Sequence, residues 1–172
     1  MKKKKAIFLA TQARDDAPHY QHSEIGYNYR LSNISAGIGR GQMEVIDKRV
    51  EARRNMFQFY VNLFANIEGV KVFEEPNRDF YSNHWLTIIE VDENRAGISR
   101  EDLRKYMELQ NIECRPLWKP MHMQPIFHNY PFYGTGIAEE MFKNGLCLPS
   151  GSNLSDKDRD RIAKAILNCL KK

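Results

Sequence analysis

The sequence lacks the features that mark several classes of protein. Its three cysteines are odd in number and widely spaced, with no CxxC pair, so neither a disulfide framework nor a structural zinc site is expected. No apolar run approaches the ~20 residues that a membrane-spanning helix needs. We therefore expect reduced thiols, no membrane association and a cytoplasmic protein.

Excess charge of one sign is also nearly absent. Lys and Arg number 26 against 22 Asp and Glu, a net charge of +4, and residues 2–5 are all lysine. Outside that run the charges nearly balance, which argues against a basic nucleic-acid-binding face. The basic start resembles a signal peptide, but the apolar run from Ala6 to Ala10 is too short for one.

Familiar catalytic motifs are missing as well. The sequence contains no GxSxG, HExxH or P-loop motif, and no pair of carboxylates stands out as an acid/base couple. His122 and His128 lie six residues apart with no acidic or cysteine partner beside them, so no metal site is predicted. The chemistry is therefore incomplete within this chain.

The 172 residues, 42% of them apolar, predict a chain of one domain or slightly more. Residues 1–32 are predicted to be irregular, and a long helix of about 50 Å is predicted over 33–67, bridging to another part or bending near its glycines. The region 33–172 then reads as an α+β domain, a small mixed sheet flanked by helices. Strands are predicted at 70–73, 84–91, 111–115 and 146–148, and further helices at 100–110, 137–144 and 155–170.

The segment GYNYR, residues 26–30, precedes the predicted long helix. Amides at a helix start, together with the side chains of Asn28 and Arg30, could bind an anion, since the planar guanidinium suits phosphate. The alternative is an exposed loop with a turn at Gly26.

Three glycines, Gly37, Gly39 and Gly41, interrupt the same helix. Each costs ~1 kcal/mol relative to alanine, so their presence indicates close approach by another backbone, as at a subunit interface. Their spacing is not GxGxxG and no strand precedes them, which makes a dinucleotide-binding loop improbable.

The segment RPLWKPMHMQP, residues 115–125, is the densest in chemical groups. Its prolines stiffen the backbone around Arg115, Trp118, Lys119 and His122. Two cations, an indole and an imidazole suit an anionic, ring-bearing ligand. The alternative is an ordinary surface loop with Trp118 packed in the core.

Three ordered blocks resemble the C-terminal part of the DegT/StrS family of sugar-nucleotide aminotransferases. They are HSEIGYNYRLSNISAGIGRGQMEVIDKRVEARR, RPLWKPMHMQP and LPSGSNLSDKDRDRI. The resemblance implies a fold-type I enzyme that uses pyridoxal 5′-phosphate (PLP), works as a homodimer, and moves an amino group from glutamate to a nucleotide-linked keto sugar in polysaccharide or glycan biosynthesis. In such enzymes PLP is the electron sink.

The resemblance also implies roles for individual residues. Asn28 matches the asparagine that reaches across the dimer to the cofactor phosphate, and Arg30 lies beside it. Lys119 and His122 match positions that face the sugar nucleotide, with Trp118 and Arg115 as weaker matches.

The large cofactor domain of the family, with its Schiff-base lysine, has no counterpart in the sequence, and Met1 falls where the family is in mid-sequence. We therefore expect no catalytic residue and no transaminase activity from this chain alone, unless another chain supplies that domain. Two alternatives remain open: a non-catalytic sugar-nucleotide-binding module, and a truncated remnant that folds poorly.

Overall fold

The computed structural model describes residues 2–170. It contains seven α-helices and four strands in that range, with two short 3₁₀ turns at Met121–Met123 and Pro125–Phe127. The helices are α1 (Lys2–Ala10), α2 (Asn33–Met43), α3 (Ile46–Phe64), α4 (Glu93–Ala96), α5 (Arg100–Leu109), α6 (Ile137–Asn144) and α7 (Asp156–Leu170). The strands are β1 (Val70–Val72), β2 (Thr87–Val91), β3 (Arg115–Pro116) and β4 (Gly145–Leu148).

The chain forms two compact units that divide between Ile46 and Asp47. In the first unit, the loop after α1 folds back on the end of that helix. Tyr27 N–H donates to the Leu9 carbonyl (2.9 Å), and Gln12 N–H donates to the Tyr27 carbonyl (3.0 Å). This pairing holds the segment around Asn28 in an extended conformation.

The second unit is built on an antiparallel sheet in the order β1-β2-β4-β3. The middle pairing is set by Ile89 opposite Leu146. Alternate β2 residues are buried, as expected for a strand with one face on the core. One apolar cluster joins this face to α3, α5 and α7; its members with no more than 1% exposure are Met56, Tyr60, Ile89, Val91, Leu103, Met107, Leu146, Leu148 and Ile166.

Local sequence signals account for several element ends. Ser99 and Asp102 form the predicted capping box at the start of α5, with Asp102 N–H donating to Ser99 Oγ (3.1 Å). Ser155 and Asp158 make the same reciprocal pair before α7. Ser32 caps α2 by accepting a hydrogen bond from Ser35 N–H (3.2 Å). Each cap satisfies amide groups that a helix start leaves unpaired.

The α+β class is confirmed, but three details of the prediction change. The single helix predicted over 33–67 is two helices, divided at residues 44–45, close to the bend expected near its glycines; there Val45 N–H donates to the Gln42 carbonyl and tightens the last turn of α2. The sheet is antiparallel in every pairing within residues 2–170 rather than mixed. The predicted irregular segment 1–32 contains helix α1, whose Lys, Ala and Leu residues favour helix.

Some boundaries also move. The third predicted strand, 111–115, is observed only as β3, and the strand predicted from residue 84 begins at Thr87. Within residues 2–170, no helix is both long enough and apolar enough to cross a membrane.

Candidate functional site

The second unit carries a cavity of about 630 Å³ beside the edge strand β3. Its walls come from residues 85–86, 113, 115–119 and 147–150, together with Phe142. Strand β3 pairs with β4 through Arg115 opposite Cys147, and the chain that follows β3 lines the cavity as far as Lys119. The structure therefore brings Arg115, Trp118 and Lys119 together in one cavity, as the sequence predicts.

Two tryptophans form the aromatic wall of this cavity. The ring centroids of Trp85 and Trp118 are 5.8 Å apart and their planes are inclined by 41°. Both side chains remain more than half exposed. The alternative in which Trp118 packs into the core is therefore wrong. The two indoles leave an open, apolar surface of the kind on which a planar or sugar ring can stack.

The two cationic residues of the cavity differ in their ion-pair partners. Arg115 Nη2 lies 2.6 Å from Glu113 Oε1, and Arg115 Nε donates to the same oxygen (2.7 Å). Lys119 Nζ makes no ion pair with any residue between 2 and 170. The pair between Arg115 and Glu113 is exposed and therefore weak, and Lys119 is the cation of this cavity that has no ion-pair partner among residues 2–170.

His122 lies outside the lining of this cavity. Its ring stacks on Phe132 with centroids 3.5 Å apart. Its Nε2 lies 2.8 Å from Glu139 Oε1 in the first turn of α6. The imidazole is thus held between an aromatic ring and a carboxylate, and the structure does not join it with Lys119 in one wall.

Asn28 and Arg30 belong to the first unit. Tyr27 and Tyr29 stack on each other with centroids 5.4 Å apart, as side chains two residues apart do on one side of an extended segment. Asn28 therefore projects to the opposite side. Within residues 2–170, neither its amide nor the guanidinium of Arg30 has a side-chain hydrogen bond or ion pair.

Gly26 has a steric role just before Asn28. A Cβ at this position would lie 2.3 Å from Ala13 N, so only glycine permits this approach of the two backbones. The turn predicted at Gly26 is better described as a backbone contact. The three glycines of α2, in contrast, have no neighbouring atom within 4 Å of their added Cβ positions among the described residues. Their predicted contact with another backbone stays a prediction.

Sequence reasoning missed Trp85 as a site residue because it assigned the run HWLTIIEV entirely to a strand. The strand starts at Thr87, and the two residues before Leu86 differ in solvent exposure. His84 is 6% exposed, whereas Trp85 is 55% exposed. The available signal was an aromatic pair directly before a β-branched strand, where a bend can turn one ring inward and the other outward.

Arg54, Glu75 and His84 form a polar cluster next to Trp85 in the chain, in which the His84 side chain is buried and those of Arg54 and Glu75 are partly exposed. Glu75 Oε1 accepts hydrogen bonds from Arg54 Nη1 (3.0 Å) and Ser82 N–H (2.9 Å), and lies 3.2 Å from His84 Nε2. The His84 ring stacks on Phe57 of α3 with centroids 3.7 Å apart. One carboxylate thus links helix α3 to the loop that leads into β2.

This cluster changes the titration of its members. The Ser82 amide, followed by Arg54, lowers the pKa of Glu75 from 4.5 to about 2. Burial lowers the pKa of His84 from its ordinary 6.5, against the opposing effect of Glu75, while the positive charge of Arg54 lowers it further and Glu74 raises it. His84 is therefore mainly neutral at neutral pH, and Glu75 is ionised.

The pKa shifts of Glu75 and His84 predict how the stability of the fold depends on pH. Because the pKa of Glu75 is lowered in the folded chain, this carboxyl stabilises the fold fully above pH 4.5. That stabilisation is lost as the pH falls toward about 2. Because the pKa of His84 is also lowered in the folded chain, a further loss of stability begins as the pH falls through 6.5. We expect the urea midpoint to fall on acidification, and Glu75→Gln to flatten the limb below pH 4.5. Parallel curves for the parent and Glu75→Gln would contradict this.

Other reactive groups offer no competing site. All three cysteines are free and buried, and burial raises the pKa of Cys114 to about 12, so this thiol is not a reactive nucleophile. Among residues 2–170, no group of three or more His, Cys, Asp or Glu side chains could hold a metal ion.

Comparison with known proteins shows the class to which this fold and site belong. Residues 1–167 match the DegT/DnrJ/EryC1/StrS aminotransferase family, and the chain belongs to that family. It is 48% identical over 168 residues to EpsN of Bacillus subtilis (strain 168), whose name places it among pyridoxal phosphate-dependent aminotransferases; the match covers 95% of this chain and 42% of EpsN. It is 32% identical to GDP-perosamine synthase of Vibrio cholerae, over 97% of this chain and 44% of that protein. The chain thus spans less than half the length of the curated relatives it matches.

Solved structures show the same fold. The structure of DesI in the presence of its TDP-sugar product superposes with a TM-score of 0.79 at 22% identity, over 98% of this chain and 43% of DesI. Helicobacter pylori PseC, an aminotransferase of pseudoaminic acid biosynthesis, also gives a TM-score of 0.79, at 18% identity, over 98% of this chain and 46% of PseC. These likenesses identify the fold as part of a fold-type I aminotransferase.

Proposed function

We propose that this chain is the C-terminal, substrate-binding part of a PLP-dependent aminotransferase that transfers an amino group from glutamate to a nucleotide-linked keto sugar in polysaccharide or glycan biosynthesis. The observation that carries the proposal is the cavity that joins Trp118 to the uncommitted Lys119, in a chain that belongs to a sugar aminotransferase family. The free, buried thiols agree with a reducing cytoplasm.

In this proposal the cavity binds the nucleotide part of the substrate. Lys119 neutralises a phosphate, and Arg115 adds a second contact when Glu113 releases it. Trp118 offers the face of its ring to the base or the sugar. His122, whose ring is held by Glu139 and Phe132, contacts the substrate outside the lining of this cavity in the proposal.

Asn28 and Arg30 suit the phosphate of the cofactor. Both side chains are exposed donors with no side-chain partner among the described residues, and the backbone around them is held against the end of α1. An amide and a guanidinium on such a fixed segment fit a phosphate dianion. Bound there, PLP would supply an aldehyde that can carry the amino group and a ring that acts as the electron sink. In this proposal the Schiff-base lysine lies outside this sequence.

Co-assembly tests the proposal directly. The chain is joined to, or mixed with, the N-terminal part of EpsN that it does not match, which restores the family's full length as a two-part enzyme or homodimer. We expect formation of 2-oxoglutarate from glutamate with GDP- or TDP-linked keto sugars, and none from either part alone. A folded complex that is inactive with both substrates would contradict the proposal.

Within that assembly, Lys119→Ala should weaken the apparent affinity for the sugar nucleotide about tenfold or more, because it removes a charge-assisted contact. Lys105→Ala is the matched control, since this exposed lysine on α5 does not line the cavity. Initial rates against sugar-nucleotide concentration measure the effect. Equal KM values for the two variants would remove Lys119 from the site.

A further inference from the structure

The structure shows two features that the proposed function does not use: an exposed indole at Trp85, and the polar cluster that the adjacent His84 forms with Arg54 and Glu75. Trp85 lines the same cavity as Trp118 and Lys119. Because the rings of the two tryptophans are inclined by 41°, they form a corner rather than a stack. A planar ring can lie flat on one indole and present its edge to the other.

The chemistry of this corner favours a base-bearing anion. Aromatic side chains stack on nucleic-acid bases without needing a particular sequence, because every base has a π-face. Lys119 at the same cavity provides the charge for phosphate groups, and Arg115 lies nearby. A nucleoside diphosphate combines both groups in one ligand.

The backbone around Trp85 is fixed from several directions. Its carbonyl accepts a hydrogen bond from the Arg53 guanidinium, and its N–H donates to Asn83 Oδ1 (3.1 Å). The preceding His84 has a φ of +44°, a conformation that costs a non-glycine residue free energy and persists only where its surroundings impose it. Here the surroundings are the Phe57 ring and the Glu75 carboxylate.

Glu75 is the link that ties this turn to the core. Its Oε1 contacts Arg54 of α3, the Ser82 amide and the His84 ring, and Arg54 also donates to the Ser82 carbonyl. Loss of the carboxylate would remove its contacts with the Ser82 amide and the imidazole, leaving Arg54 on the Ser82 carbonyl and Phe57 on the His84 ring. The Trp85 indole would then be held less firmly.

We propose that Trp85 is a second aromatic contact for the nucleotide base, and that the Arg54–Glu75–His84 cluster is the device that positions it. The inference rests on the proposed function and names the part of the substrate that this corner binds. Trp85 is a binding residue in this account, and the three cluster members are positioning residues.

The first experiment uses the chain's own fluorescence. The sequence has only two tryptophans, so Trp118→Phe leaves Trp85 as the single indole, and Trp118 is exposed enough for the change to be tolerated. GDP is titrated into this variant, with guanosine, inorganic diphosphate and mannose as separate arms. We expect saturable quenching by GDP, weaker binding of guanosine and diphosphate, and none by mannose.

In the parent background, Trp85→Ala should weaken GDP binding about fivefold or more, as loss of one base stack does, while Trp85→Phe should retain most of the affinity. Three results would overturn the assignment: no GDP binding by the parent chain, equal affinity of parent and Trp85→Ala, or diphosphate or mannose binding as tightly as GDP. The last result would assign the corner to phosphate or to the sugar instead.

The second experiment tests the positioning role. Glu75→Gln is added to the Trp118→Phe variant, with Glu74→Gln as the matched control, because Glu74 is the neighbouring exposed acid and makes no ion pair within residues 2–170. We expect Glu75→Gln to lower the fluorescence anisotropy of Trp85 and the affinity for GDP, with far-ultraviolet circular dichroism unchanged and Glu74→Gln like the parent. If Glu75→Gln unfolds, Arg54→Lys provides the same measurement.

A folded Glu75→Gln protein with unchanged anisotropy and GDP affinity would overturn the positioning role. Failure here is distinguishable from failure of the proposed function. If the co-assembled enzyme aminates its substrate but GDP binds equally well with and without Trp85, only this inference is contradicted. GDP binding that depends on Trp85, in a chain that never supports amination, would remove the aminotransferase proposal alone.

Discussion

Gly69→Ala should be the most destabilising single change among the glycines of the second unit. Gly69 has a φ of +76°, and an added Cβ would lie 2.3 Å from Ala96 N and 2.7 Å from the Arg95 carbonyl carbon. Backbone atoms at that distance must move. The Gly69 carbonyl also accepts a hydrogen bond from Asp92 N–H (2.8 Å), so the shift would disturb the end of the β1–β2 ladder. We expect a loss of roughly 3 kcal/mol or more in the free energy of unfolding, from backbone strain and steric overlap together.

Gly97→Ala is the matched control for this prediction. Gly97 has nearly the same φ, +73°, but no atom lies within 4 Å of its added Cβ position among the described residues. It should therefore lose only the cost of a positive φ, about 1 kcal/mol. Urea unfolding followed by circular dichroism measures both variants. Equal losses would show that the contact at Ala96 relaxes freely and that backbone conformation alone explains the effect.

Hydrogen exchange should differ sharply between the core of the second unit and helix α2. Every residue of α2 is exposed, and an isolated helix of 11 residues is marginal in water. The amides of β2 and β4 lie in a ladder against a buried apolar cluster. We expect β2 and β4 amides to exchange at least about a thousandfold more slowly than those of α2, as core and fraying segments do.

The exchange experiment is repeated over a tenfold range of protein concentration. Protection of α2 that rises with concentration would show that a second copy covers it, in agreement with the interface that its glycines predict. Strong protection at every concentration would contradict the prediction. The apolar residues Ile34, Ile38 and Met43, each more than 60% exposed, make α2 the segment where such a partner would bind.

The sequence determined the local features because they depend on residues close together in the chain. Ser99 with Asp102 and Ser155 with Asp158 satisfy helix-start amides within four residues. The terminal helix follows from the repeat of Ile162, Ile166 and Leu170. The α+β class followed from the order of the predicted helices and strands and the family from the three motif blocks, and both are confirmed.

The wrong predictions concern features that depend on contacts between residues far apart in the sequence. A periodic apolar pattern does not reveal that the chain leaves the helix at residues 44–45, since the glycines of α2 weaken the helix but do not say where it ends. Strand direction was also hidden, because the pairing of β2 with β4 joins residues about sixty positions apart. Sheet order depends on such long-range packing, and local propensity does not specify it.

The candidate site divides in the same way. Sequence alone placed Arg115, Trp118 and Lys119 on one stiff segment, and short spacing made their proximity predictable. Only the tertiary structure separated His122 from them by giving it Glu139 and Phe132 as partners. Only the tertiary structure added Trp85, because its position depends on a carboxylate at Glu75 and a helix some thirty residues earlier. Side chains that are close in sequence lie on one surface because the backbone between them is short. Contacts between residues far apart in sequence depend on how the whole fold packs.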